Sequence, residues 1–135
     1  MKTLIIPGSD PEVYKHIGPF AMNKAVIAEF EGYPILNNDE MIWFIVLEKE
    51  KPIGFASIQK HGDVAEFTNA YIIPEKRNSG LYQSLYEARL NWCQLTKSVK
   101  KIKALCTNES INFYRQQRFN IIKSYVKWHK VEKEL

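Results

Sequence analysis

The sequence predicts an α/β fold, a mixed and mostly antiparallel central sheet flanked by helices. Three observations carry that prediction. Three runs rich in β-branched and aromatic residues, Met41–Leu47, Ile53–Gln59 and Val64–Ile73, follow one another across short polar turns, as an antiparallel meander does. The pattern then changes period, and Leu81, Leu85, Ala88, Trp92 and Leu95 recur at helical spacing. A further short apolar run, Ile102–Cys106, comes next. A helix between two such strands makes a crossover that joins parallel neighbours.

The elements follow in order. Lys2–Ile6 reads as a short strand. Asp10-Pro11-Glu12 is a helix start, with an acid at the cap and proline at the first helical position. That helix is expected to stop near Ile17-Gly18-Pro19, and a second to run from there to Gly32, with Pro34 beyond it. Glu48–Pro52 and Lys60–Asp63 are the polar turns of the meander, and Pro74 closes its third strand. A helix is expected to begin near Ser79, and another at Asn108-Glu109 that runs to about Gln117. One or two strands fill the stretch from Phe119 to the C-terminus.

Composition narrows the classes. The chain has 135 residues, 45% hydrophobic and 13% aromatic, which suits one domain over residues 1–135 with a packed core. The longest apolar run, Met41–Leu47, is seven residues, too few to span a bilayer. The start, MKTLIIPGSDP, has no signal-peptide core, and Cys93 and Cys106 read as buried, reduced thiols, so a cytoplasmic location is expected. A net charge of +4 mildly favours an anionic ligand; nucleic acid is not expected, because the positive charge is spread out. His16, His61 and His129 lack metal spacing, so no metal site is expected, and each reads as a surface or turn residue.

The informative stretch is Tyr71-Ile72-Ile73-Pro74-Glu75-Lys76-Arg77-Asn78-Ser79-Gly80-Leu81-Tyr82. A strand ends, a short basic loop follows, and a helix begins. A helix start presents unpaired N–H groups and the positive end of the helix dipole, and Gly80 lets a ligand approach the backbone. Together these describe a pyrophosphate-binding turn; a plain capped helix after a loop is the structural alternative.

Pro74-x-x-Arg77-x-x-Gly80 after a hydrophobic strand resembles the acetyl-CoA-binding motif of the GCN5-related N-acetyltransferases, the GNAT superfamily, whose core is Gln/Arg-x-x-Gly-x-Gly/Ala. Tyr82 stands where the family has a small residue. Phe113-Tyr114-Arg115-Gln116-Gln117-Arg118-Phe119 resembles the family's later Phe-Tyr-x-x-x-Gly-Phe segment, with Arg118 in place of the glycine. The order of strands and helices agrees as well, so the resemblance covers nearly the whole chain.

The resemblance implies an acyl-CoA N-acyltransferase (GNAT) fold and an N-acetyltransferase that moves an acetyl group from acetyl-CoA to a primary amine by direct transfer. It implies that backbone N–H groups of Arg77, Asn78, Ser79, Gly80, Leu81 and Tyr82 hold the pyrophosphate. The pantetheine arm would pair with the backbone of Ile72 and Ile73, like an added strand. Tyr114 is implied as the general acid that protonates the leaving thiolate. Glu66, eleven residues before Arg77, matches the spacing of the base glutamate in histone-acetylating members; an ordered water is the alternative base. Strand alternation is expected to set Glu66, Thr68, Ala70 and Ile72 on one face. The resemblance implies a small-molecule or peptide amine as acceptor; Glu29, Glu31, Tyr33, Asp39 and Glu40 could attract a cationic amine, and a solvated face is the structural alternative. A homodimer through a C-terminal strand is an assembly the resemblance allows. The rival reading is a catalytically silent GNAT-like module that binds CoA or a protein partner.

Overall fold

The computed structural model describes every residue from Met1 to Leu135. Seven strands form one sheet in the order β1-β2-β3-β4-β5-β7-β6. They are β1 (Lys2–Pro7), β2 (Met41–Glu48), β3 (Lys51–His61), β4 (Val64–Ile72), β5 (Lys101–Thr107), β6 (Asn120–Ser124) and β7 (Trp128–Glu134). Four helices join them: α1 (Glu12–Ala21), α2 (Lys24–Glu29), α3 (Leu81–Leu95) and α4 (Ile111–Gln116). All neighbours are antiparallel except β4 and β5, which α3 connects.

Alternation along the strands feeds two cores. On one face Phe44, Ala56, Ile58 and Phe67 pack with Leu85, Tyr86 and Tyr114. On the other, Trp43, Ile45, Phe55 and Tyr71 pack with Val13, Ile17 and Val26 of α1 and α2.

Several boundaries differ from expectation. α1 runs on through Gly18 and Pro19 to Ala21. Pro19 has a φ suited to a helix, and the turn beyond it closes with Met22 N–H donating to Gly18 O at 3.1 Å. The break falls at Asn23, whose side chain caps α2 by accepting from Ala25 and Val26 N–H. The first meander turn is only Lys49 and Glu50, both at positive φ (51° and 65°), the conformation a two-residue hairpin needs. The helical stripe of α3 is rotated from the one expected. Its buried residues are Leu81, Leu85, Tyr86, Arg89 and Cys93, while Leu95 is exposed. His16 is buried on α1 rather than at the surface.

One irregularity shapes the molecule. In the β3–β4 ladder Ala56 faces Ala70 and Ser57 faces Thr68, so Asn69 is an extra residue in β4. It sits at φ 39°, a region asparagine tolerates better than most residues. Ser57 clamps this bulge. Its buried hydroxyl lies 2.7 Å from Thr68 Oγ1 and accepts from Asn69 Nδ2 at 2.9 Å. The bulge resets the alternation. Glu66 and Thr68 therefore do not share a face with Ala70 and Ile72: Ala70 and Ile72 belong with Phe67, on the α3 side of the sheet, and Glu66 and Thr68 lie on the side of Tyr71.

Candidate active site

β4 and β5 pair only from Val64↔Lys101 to Phe67↔Ala104. Beyond the bulge the strands diverge, although β5 continues to Thr107 and keeps its ladder with β7. The result is a V-shaped cleft of about 530 Å³ between them. Ile73 N–H donates to Ile53 O at 3.0 Å, and Ile73 O accepts from Lys76 N–H at 3.0 Å. Both polar groups of Ile73 are thus committed within the protein. By antiparallel alternation those of Ala70 and Ile72 point the other way, into the V.

At the open end of β4 the chain forms one 3₁₀ turn (Pro74–Lys76) and then enters α3. Asn78 and Gly80 lie at positive φ, 62° and 85°, which turns successive N–H groups outward. Arg77 N–H still donates to Pro74 O at 3.3 Å, and the first helical bond is Ser84 N–H to Gly80 O. Between them, the six N–H groups from Asn78 to Gln83 have no partner in the protein. A helix start leaves about four such groups, and the loop adds Asn78 and Ser79. The row fits an anion and borders a second hollow of about 390 Å³, walled by Tyr71, Ile72, Arg77 and Gly80.

The basic side chains of the loop do not join that row. Arg77 turns back toward α2. Its Nε donates to Ile72 O at 2.9 Å, its Nη2 reaches Glu29 Oε1 at 2.7 Å, and its guanidinium lies 5.3 Å from the centre of the Tyr71 ring. Lys76 pairs with Glu48 at 2.9 Å, a contact that lowers the Glu48 carboxyl pKa. Any positive field at the loop therefore comes mainly from the backbone and the helix dipole.

Tyr82 points away from the loop. Its ring meets Phe113 edge-on at 5.2 Å, and its hydroxyl lies 3.4 Å from the Tyr114 hydroxyl. Tyr114 is 5% exposed on α4 and lines the V. Burial drives its phenol pKa well above the ordinary value, Tyr82 adds to the rise, and Arg89 opposes it. Arg118 takes the family glycine's backbone conformation at φ 67°. Arg118 N–H donates to Arg115 O and Phe119 N–H to Tyr114 O, both at 3.0 Å, and the Phe119 and Tyr114 rings meet at 5.1 Å. This is a Schellman ending, and it anchors Tyr114 at its own carbonyl and ring.

Glu66 lines the same cleft from β4. Of the acids and tyrosine expected near an acceptor, Glu29 and Tyr33 reach the cleft wall, together with Trp128. Glu31, Asp39 and Glu40 do not line it. Cys106 also faces the V, and burial raises its thiol pKa, so it is a weak nucleophile.

Sequence reasoning missed Arg89. It is 1% exposed and lines the cleft beside the two tyrosines. The signal was present in the sequence: Arg89 interrupts the four-residue stripe Leu81, Leu85, Cys93 on the buried side of α3.

A splayed parallel pair, a bulged strand before the splay and a row of free N–H groups on the crossover helix define the acyl-CoA N-acyltransferase type of fold. The sequence model of the Acetyltransferase (GNAT) family matches residues 11–119, and the chain belongs to that family, whose members carry acyl-CoA-dependent acyltransferase function. Solved structures agree on the fold. A Lactobacillus plantarum protein assigned as an N-acetyltransferase superposes with TM-score 0.80 at 16% identity, over 99% of this chain and 97% of that one. Escherichia coli ElaA gives 0.78 at 14% identity, over 98% and 99%. The PaiA N-acetyltransferase of Thermoplasma acidophilum, solved with coenzyme A, gives 0.66 at 13% identity, over the whole of both chains. No curated protein matches the sequence. No helix is long and apolar enough to cross a membrane.

Proposed function

We propose that residues 1–135 form one N-acetyltransferase domain that moves an acetyl group from acetyl-CoA to a primary amine by direct transfer. The observation that carries this reading is the row of six unpartnered N–H groups, Asn78 to Gln83, which borders the hollow beside the V, the two sharing Tyr82 and Ala70. In this reading the row binds the pyrophosphate of acetyl-CoA, with Ser79, Gly80, Leu81 and Tyr82 at its centre. The pantetheine arm lies along β4, where Ala70 and Ile72 offer polar backbone groups. Arg77 is bonded to Ile72 O, so it yields that carbonyl when the arm binds.

The chemistry follows from the groups around the cleft. The amine loses its proton to Glu66 or to a water beside it, and its lone pair attacks the thioester carbon. The C–N bond forms, the C–S bond breaks, and its electron pair goes to sulfur. Tyr114 then gives its phenolic proton to the thiolate and is reprotonated from solvent. Orientation and backbone N–H polarisation supply most of the rate. Glu66, Tyr33 and Trp128 at the cleft wall favour a cationic acceptor, a small-molecule or peptide amine. The edge strand β6, exposed along its length, is the element a homodimer would use. Two buried free cysteines fit a cytoplasmic setting.

A thermal melt tests the reading. Acetyl-CoA at 100 times its Kd stabilises by about 2.7 kcal/mol, several degrees for a domain of this size, while ATP at the same concentration has a smaller effect. Release of free CoA thiol in a screen of primary amines then measures transfer. A normal shift with no transfer to any amine would favour the catalytically silent CoA-binding module, and no shift at millimolar acetyl-CoA would contradict the site.

A further inference from the structure

Arg89 is a charged side chain in a place where packing alone would ask for an apolar one. It sits on the buried face of α3, in the stripe with Leu85 and Cys93. Its guanidinium lies 4.3 Å from the centre of the Phe67 ring. Nη1 makes one long hydrogen bond, 3.4 Å to Ser57 O, whereas Nε and Nη2 are buried with no partner. No carboxylate pairs with it in any salt bridge. Buried arginines held for structure are normally paired and hydrogen-bonded, because the desolvated charge is otherwise costly. Arginine nonetheless keeps its proton in proteins. An unpaired buried cation in the floor of a cleft is a charge waiting for an anion to form.

The neighbours say where that anion forms. Arg89 lines the V with Tyr82 and Tyr114, whose hydroxyls face each other. If the cleft binds acetyl-CoA, the thioester sulfur lies beside the Tyr114 hydroxyl, and the electron pair of the breaking C–S bond arrives there. We propose that Arg89 is a positioning residue whose fixed positive charge, in the wall of the cleft that Tyr82 and Tyr114 also line, stabilises the CoA thiolate as it leaves the acetyl group. The charge acts across the cleft, whose wall also carries the two hydroxyls. No proton leaves Arg89 at any stage. The thiolate still takes its proton from Tyr114. This inference rests on reading the cleft as an acetyl-CoA site.

The other titratable groups facing this point are Tyr86 and Cys93 on α3, Cys106 on β5 and Glu66 on β4. Both thiols and Tyr86 are pushed upward by burial, so they stay neutral near pH 7 and leave Arg89 as the cation at the floor.

The test is the titration of the thiol of bound CoA, followed by thiolate ultraviolet absorbance as the difference between complex and free protein. It needs no acceptor amine. In the wild-type complex the thiolate fraction near neutral pH should rise about tenfold or more over free CoA, the effect of a cation within a few ångströms. Arg89→Lys, which keeps the charge, should retain most of the rise. Arg89→Met, which keeps the bulk and removes the charge, should lose it while still binding CoA in a thermal melt. A wild-type complex that titrates like free CoA would overturn the inference and leave the binding reading intact. So would an Arg89→Met complex that titrates like wild type. Failure of the wild-type protein to bind CoA at all would overturn both. Should Arg89→Met not fold, Arg89→Gln, which removes the charge and keeps a polar end, takes its place: loss of the rise supports the inference and a wild-type titration overturns it.

Discussion

Tyr114 holds its phenol almost wholly away from water, and burial keeps it protonated across any working pH. The proposed role needs the phenol in its protonated form, and this burial supplies that. Tyr114→Phe should lower kcat by roughly ten- to ten-thousand-fold with the KM for acetyl-CoA little changed, as steady-state kinetics would show; an unchanged kcat would remove the role. Tyr114 was legible because Phe113, Tyr114 and Phe119 form a recognisable segment. Tyr82 was legible as a departure from the family pattern, but its orientation was not. The ring turns onto Phe113, a tertiary contact between residues far apart in the chain. Arg77 shows the same limit. Its place in the motif was readable, whereas its turn toward Glu29 and Ile72 O depends on where α2 ends.

At the scale of elements, two irregularities build the site. The bulge at Asn69 ends the pairing of β4 with β5, and Ser57 holds it with contacts to Thr68 and Asn69. Ser57→Ala leaves the Asn69 amide donor without its partner and should cost about 1–3 kcal/mol by denaturant unfolding, with weaker CoA binding because the V is less firmly held. Strand alternation read from sequence passes straight through Thr68, Asn69 and Ala70, and this is why Glu66 was grouped with Ala70 and Ile72. A mid-strand asparagine is a faint hint of a bulge and no more. The end of α4 is the second irregularity. Arg118 pays a left-handed penalty that glycine avoids, so Arg118→Gly should raise stability by roughly 1 kcal/mol, seen as a higher unfolding midpoint. The helices themselves were largely readable, α3 from its period and the others from their start and stop residues. The break between α1 and α2 was misplaced because Gly18-Pro19 reads as a stop, yet proline's φ is also helical and tertiary packing of Val13 and Ile17 carries the helix across.

For the molecule as a whole, the meander and the crossover were visible in the order of apolar runs and turns, whereas the stretch from Phe119 was readable only as one or two strands. The splay that makes a cleft was not, since it depends on where one ladder stops. The core on the α3 side of the sheet also sets a pH dependence. Burial pushes Cys93 and Tyr86 up to about 12, above the ordinary values of about 8.5 and 10 for these groups in an unfolded chain. Above those values the unfolded chain loses protons that the folded protein keeps, so stability falls as pH rises, from about pH 8.5 for Cys93 and about 10 for Tyr86 up toward 12. Tm measured across that window should decline, and Cys93→Ala should flatten the part that starts earlier. The central claim concerns the row of free N–H groups from Asn78 to Gln83 and the β4 edge beside it, and amide NMR reads these atoms directly. Titration with acetyl-CoA should shift the ¹⁵N–¹H signals of residues 78–83 together with those of Ala70 and Ile72, and leave β1 and β2 unmoved. Shifts confined to other elements, or none at saturating acetyl-CoA, would contradict the account.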